Sequence, residues 1–179
     1  FLQIIDDLFK ASQQPSSPLS SKVLRESALL FSYGITNAGK THTVLGDMNS
    51  TNQTNWGIIP RAISAVLERQ KIHSISDSKG ELSNLYISFF EIYNENVYDL
   101  TPSRKSISSK PSVNHSVPAL KLRECRGQIF VRGLAEHKIG SLDDGFELAK
   151  LAHNRRRTSC NNLNSESSRS HFICQMQII

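Results

Sequence analysis

Gly34-Ile35-Thr36-Asn37-Ala38-Gly39-Lys40-Thr41 sets two glycines, a lysine and a hydroxyl at the spacing GxxxxGK[ST]. That spacing suits the grip of a nucleotide's phosphates. Gly34 and Gly39 let the backbone curl until successive N–H groups face inward at phosphate oxygens. Lys40 would bring a point charge to the β- and γ-phosphates, the Thr41 hydroxyl would ligate Mg²⁺, and a helix starting at Lys40 would add its positive end. The alternative is a glycine-bounded turn with a chance lysine and threonine. The short apolar run ALLFSYG before the motif and the helical pattern after it favour the phosphate reading.

A second hydroxyl-rich run, Asn164-Ser165-Glu166-Ser167-Ser168-Arg169-Ser170-His171, lies far downstream. Taken alone it reads more simply as a solvated serine-rich turn. The run Arg155-Arg156-Arg157 admits a nucleic-acid reading, or the simpler one of cations gathered at a helix C-terminus.

The elements that must position these groups alternate between strand and helix. ALLFSYG, residues 28–34, is expected as a buried strand of a parallel sheet. DMNSTNQTNWG is a loop. GIIPRAISAVLERQK is a helix with Pro60 near its start and Ile63, Val66 and Leu67 on its inner face. NLYISFFEIY reads as a central strand. Residues 101–118, rich in Ser, Lys and Pro, are expected to be a flexible surface insert. ALKLRE and QIFVRGL are two short strands. Ser141 and Asp144 form a capping box for a helix with Leu142, Phe146 and Ala149 on its apolar stripe, and HFICQMQII is a last strand. The fold class expected is α/β, a three-layer sandwich around a central mixed, largely parallel sheet.

With 179 residues the chain suffices for one domain with a real core. No apolar run approaches the length of a membrane span, and the opening FLQIIDDLF lacks the pattern of a signal peptide. The chain opens without Met and stops on CQMQII within an apolar stretch, so both ends are expected to be internal to a longer protein. Cys125, Cys160 and Cys174 are scattered and read as reduced thiols, not as a disulfide framework or zinc site. Triplets of the glycan-acceptor type start at Asn49, Asn52 and Asn114 and are expected to stay unmodified. A formal charge of +5 suits an acidic partner, whether nucleic acid, anionic membrane or protein.

With these motifs in order, the chain resembles kinesins, whose first nucleotide switch reads NxxSSRSH. FSYGITNAGKTHT is similar to their phosphate loop, GIIPRAI to the segment closing the next loop, and SFFEIYNENVYDL to their long central strand. NRRRTSCNNLNSESSRSH and SFFEIYNE look most like the mitotic-kinesin-like branch. The resemblance implies a partial motor domain over 1–179, with the phosphate loop at 34–41 and switch I at 164–171. It implies ATP and Mg²⁺ as ligands: Lys40 on the terminal phosphates, Thr41 and Ser168 on Mg²⁺, Asn164 on the γ-phosphate, and Ser167 holding or relaying a proton from the attacking water. Arg169 would pair with a carboxylate of a second switch, and His42 would pack against adenine.

The family's second switch and the adenine-contacting segment before the phosphate loop do not occur here, so the chain by itself is expected to hydrolyse ATP negligibly. Kinesins usually have Gly where this chain has Asn37 and Ser where it has Ala38. Microtubules are the implied partner, with Arg123, Arg126, Arg132 and Lys138 flanking a strand pair that would face tubulin, although a solvated hairpin explains them as well. Also implied are a dimer through a coiled coil outside this chain, a place in the cytoplasm on the microtubule cytoskeleton or the mitotic spindle, and no membrane or nucleic-acid partner. Two rival readings are a microtubule-binding or scaffold relative that no longer hydrolyses ATP, and a P-loop NTPase acting on nucleic acid.

Overall fold

The computed structural model describes residues 27–35, 37–50, 52–76, 84–102, 118–125, 127–162 and 170–179. Over these the order is α1 (Lys40–Leu45), a 3-10 turn (Gln53–Asn55), α2 (Ile58–Ser76), β1 (Leu85–Tyr93), β2 (Asn96–Asp99), β3 (Lys121–Cys125), β4 (Gln128–Arg132), β5 (His137–Ile139), α3 (Leu142–Asn162) and β6 (Ser170–Ile178). β1 is the hub of the larger sheet, paired with β2, β5 and β6, while β3 and β4 form a separate two-stranded ribbon. Aromatic and β-branched residues fill β1, and all of Leu85, Ile87, Phe89 and Phe90 are buried.

The chain is α/β, as expected, but the parallel ladder foreseen at 28–34 is not in the described sheet. β1 pairs β2 antiparallel, from Phe90 opposite Asp99 to Tyr93 opposite Asn96. Asn84 and Ile179 exchange both backbone bonds, and Ser170 meets Glu91 at the other end, so β6 also runs antiparallel to β1. Residues 27–34 form no strand, and Leu29 and Tyr33 are 87% and 95% exposed. An apolar run becomes a buried strand only where a neighbour supplies a ladder and a cover. Among the described residues none does.

Two compact units emerge. The first draws its described residues from Phe1–Tyr86, Lys138–Phe146 and Gln177–Ile179. Its core joins Leu45, the α2 face Ile59, Ala62, Ile63, Val66 and Leu67, and Ile139. The loop from Gly46 to Gly57 is pinched at its neck by a Gly46–Trp56 bridge and an Asp47 N–H bond to the Asn55 carbonyl. A side chain at Gly46 would collide with the Gly57 backbone, so the crossing needs glycine there. Trp56 donates from its indole to the Ser50 carbonyl at 2.9 Å and meets Phe146 edge-on at 5.2 Å.

The second unit comprises Ile87–His137 and Glu147–Met176, with Ile87, Phe89, Phe90, Val97, Leu100, Ala149 and Ala152 inside. The insert expected from residue 101 starts later. Thr101 is fully buried, its N–H bonded to Asp99 Oδ1 at 2.7 Å and its carbonyl 2.6 Å from His137 Nε2. Asp99 Oδ2 takes the Ala135 N–H at 3.0 Å. Residues 103–117 of that insert lie outside the described residues.

Candidate functional site

The turn from Gly34 to Lys40 is tightly wound. The Ala38 N–H bonds to the Ile35 carbonyl at 3.2 Å, and a Cβ on Gly34 would come within 3.3 Å of Ala38 Cβ. Asn37 sits at φ 65 and Gly39 at φ 83, both in the left-handed region. Asn is one of the few side chains that tolerate it, so Asn37 serves where glycine was the usual residue. Gly39 caps α1, and its carbonyl takes the Thr43 N–H at 2.9 Å and the Thr43 hydroxyl at 3.2 Å. The helix after the turn spans Lys40–Leu45 only. A helix this short could offer an anion only the N–H groups of its first turn, not a long macrodipole.

Lys40 bends back across this turn. Its Nζ donates to the Gly34 carbonyl at 2.7 Å and the Ile35 carbonyl at 2.6 Å. The ammonium is thus held where the chain curls, by neutral carbonyl acceptors that an anion can outbid, because a full negative charge attracts the ammonium more strongly than a carbonyl dipole does. Thr41 and His42 are exposed beside it. Thr36 lies outside the described residues, as do Asn164, Ser167, Ser168 and Arg169. Among the described residues no group of His, Cys, Asp or Glu is arranged to hold a metal ion.

The structure adds a feature that the sequence reading missed. Glu91, near the C-terminal end of β1, is 4% exposed. It accepts a hydrogen bond from the Ser170 hydroxyl, and Arg156 Nε lies 3.5 Å from the same Oε1. The Arg156 guanidinium stands 5.7 Å from the centre of the Phe172 ring, which is tilted against Phe89 at 5.6 Å. Arg155 donates to the Leu100 carbonyl at 3.2 Å. The arginine run therefore does not end its helix. α3 continues to Asn162 with no basic residue in its last turn, and two of the arginines are held by inward contacts. The signal was present in SFFEIY: a carboxylate inside an apolar strand demands a cationic or hydroxyl partner.

The ribbon β3–β4 is exposed along almost its whole length. Its register sets Lys121 opposite Arg132 and Arg123 opposite Phe130, which places Lys121, Arg123 and Arg132 on one face, with Leu122, Ile129 and Val131 on the other. Lys121 was not foreseen as part of that set. Lys138 is exposed on β5, and Arg126 lies outside the described residues. No described helix is long and apolar enough to cross a membrane.

Comparison with known proteins agrees along the chain. The family profile described as "Kinesin motor domain" matches residues 7–179. Kinesin-like protein KIN-5A of Oryza sativa subsp. japonica is 31% identical over 96% of this chain and 16% of its own length. Klp61F of Drosophila melanogaster is 30% identical over 88% of the chain and 14% of its own. KIF9 of Mus musculus is 35% identical over 79% of the chain and 16% of its own. Relatives with different kinesin names thus match about equally well. The chain spans about a sixth of their length. Among solved structures, one titled as a fast kinesin, with implications for ATPase mechanism and interactions with microtubules, superposes with a TM-score of 0.64 at 28% identity. That match covers 83% of this chain and 37% of the other. With the wound glycine turn in front of α1 and a profile match over residues 7–179, the chain belongs to the kinesin motor domain family.

Proposed function

We propose that the protein containing this chain binds Mg-ATP and hydrolyses it to move along microtubules, and that this chain carries the nucleotide-binding half of the motor. The observation that carries the reading is the turn itself: Asn37 and Gly39 at positive φ deliver the chain into α1 with Lys40 Nζ held across the curl. This fits a triphosphate, since Gly34, Ile35, Thr36, Asn37, Ala38 and Gly39 would present backbone amides. Lys40 would exchange two carbonyls for phosphate oxygens, and Thr41 would offer its hydroxyl to Mg²⁺. His42, exposed next to it, would meet the adenine.

Mg²⁺, when bound, neutralises charge that develops on the transferring phosphoryl group. Asn164, Ser167, Ser168 and Arg169 are assigned to the γ-phosphate, the attacking water, the metal and a second-switch carboxylate, in that order, on the strength of NSESSRSH. The basic face of the ribbon, Lys121 with Arg123 and Arg132, together with Lys138 and, by its place in the sequence, Arg126, would meet acidic tubulin side chains. Dimerisation through a coiled coil elsewhere in the longer protein, and residence on the cytoplasmic microtubule cytoskeleton, follow from the same reading. A relative that binds microtubules without hydrolysing ATP is the second reading, and the intact Lys40, Thr41, Ser167, Ser168 and Arg169 weigh against it.

The test uses the full-length protein. ATP turnover should rise with added microtubules and stay flat with duplex DNA. Lys40→Ala should weaken ATP binding by about 10–100-fold, the worth of hydrogen bonds from a charged group. Nucleotide binding without turnover would select the scaffold reading. Stimulation by DNA instead of microtubules would overturn the motor.

A further inference from the structure

We propose that Glu91 is a positioning residue for the hydrolytic step, a buried carboxylate that ties both flanks of segment 163–169 to the central strand. The inference rests on the reading that Ser167, Ser168 and Asn164 act on the terminal phosphate. Arg156 on α3 precedes that segment and Ser170 opens β6 directly after it. Both converge on one atom, Glu91 Oε1. Arg156 Nη2 also donates to Ser170 Oγ at 3.5 Å, so the hydroxyl gives its proton to the carboxylate and accepts one from the guanidinium. The three groups close a ring of complementary polarity. Phe172 and Phe89 wall its guanidinium side.

A carboxylate this buried is costly to ionise unless it is paired, and the pairing is lost if either flank moves away. Arg156 and Ser170 therefore share one partner, Glu91, which lies outside the hydroxyl-rich motif. Phosphoryl transfer asks the protein chiefly for placement, and a shift of about 1 Å can cost roughly a hundredfold in rate. A residue with this role should govern turnover far more than nucleotide capture, because its bonds go to Arg156 and Ser170.

The experiment compares full-length wild type with Glu91→Gln, Ser170→Ala and the double variant Glu91→Gln/Arg156→Met. Glu91→Gln keeps the shape and an acceptor for Ser170 while deleting the charge. Microtubule-stimulated kcat should fall about tenfold or more in each single variant, with KM for ATP and equilibrium ATP affinity within about twofold of wild type. The double variant should be no slower than the slower single, since the groups act as one unit. If Glu91→Gln does not fold, Ser170→Ala carries the same expectation.

A loss of thermal stability with unchanged kcat would make the ring mere structural glue and overturn the proposal. So would a rise in KM with kcat unchanged. Wild type that binds ATP without turning it over would instead bring down the motor reading, and the positioning role with it, which is a distinct result.

Discussion

Glu91, Asn37 and Cys174 show what a single side chain reveals before and after folding. Asn37 was legible as a departure from the usual glycine, and its φ of 65 supplies the reason an asparagine can stand there. Glu91 could be read as a charge inside a buried strand, but its partners lie 65 and 79 positions further along the sequence, at Arg156 and Ser170. Spacing within one segment does not expose a pairing made across the sheet. Cys174, half-buried on β6, is distinguished by its surroundings: desolvation pushes its thiol above the ordinary range. Cys125 is exposed on β3. Iodoacetamide at neutral pH should therefore label Cys125 and spare Cys174, as peptide mass mapping will show. The raised thiol also sets a sign for pH. Its contribution to folding is intact below the unfolded thiol's pKa of about 8.5 and is lost as pH rises above it, where only the unfolded chain ionises. Stability measured by urea should fall from pH 8 toward pH 10, and Cys174→Ala should flatten that slope.

At the level of elements, the signals that survived are local ones. The capping box at the start of α3 is complete, with the Ser141 N–H bonded to Asp144 Oδ2 at 3.0 Å and the Asp144 N–H bonded to Ser141 Oγ at 3.1 Å. Ser141→Ala should lower stability by about 1 kcal/mol, read as a shift of the denaturant midpoint. The α2 face and the central strand were legible for the same reason, since periodicity and residue type act within one segment. Signals that depended on distant company did not carry over. ALLFSYG has the composition of a strand but no ladder among the described residues, and the arginine run marked no helix end because α3 keeps its hydrogen bonds to Asn162. Ser167, Ser168 and Arg169 lie outside the described residues, so their roles rest on the motif NSESSRSH alone.

Taken whole, the chain pairs two well-filled cores with an apolar stretch, Leu29, Leu30, Phe31 and Tyr33, that faces solvent. A contiguous patch of that kind promotes self-association. Leu29→Lys/Phe31→Lys in this chain should move the onset of light scattering to higher protein concentration, and unchanged scattering would exonerate the stretch. The Gly46–Gly57 crossing has the opposite character. The polypeptide enters and leaves that loop through one pinched point, and the returning limb is braced on α2 by Arg61, which donates to the Gln53, Thr54 and Trp56 carbonyls, while Trp56 rests against Phe146. Extra polar length spliced in near Asn49 would hang from the same point and leave the spacing between α1 and α2 untouched. A fluorophore attached at Asn49 would thus sit on the entering limb, away from the carbonyls that Arg61 holds, and leave the Gly34–Lys40 turn its shape.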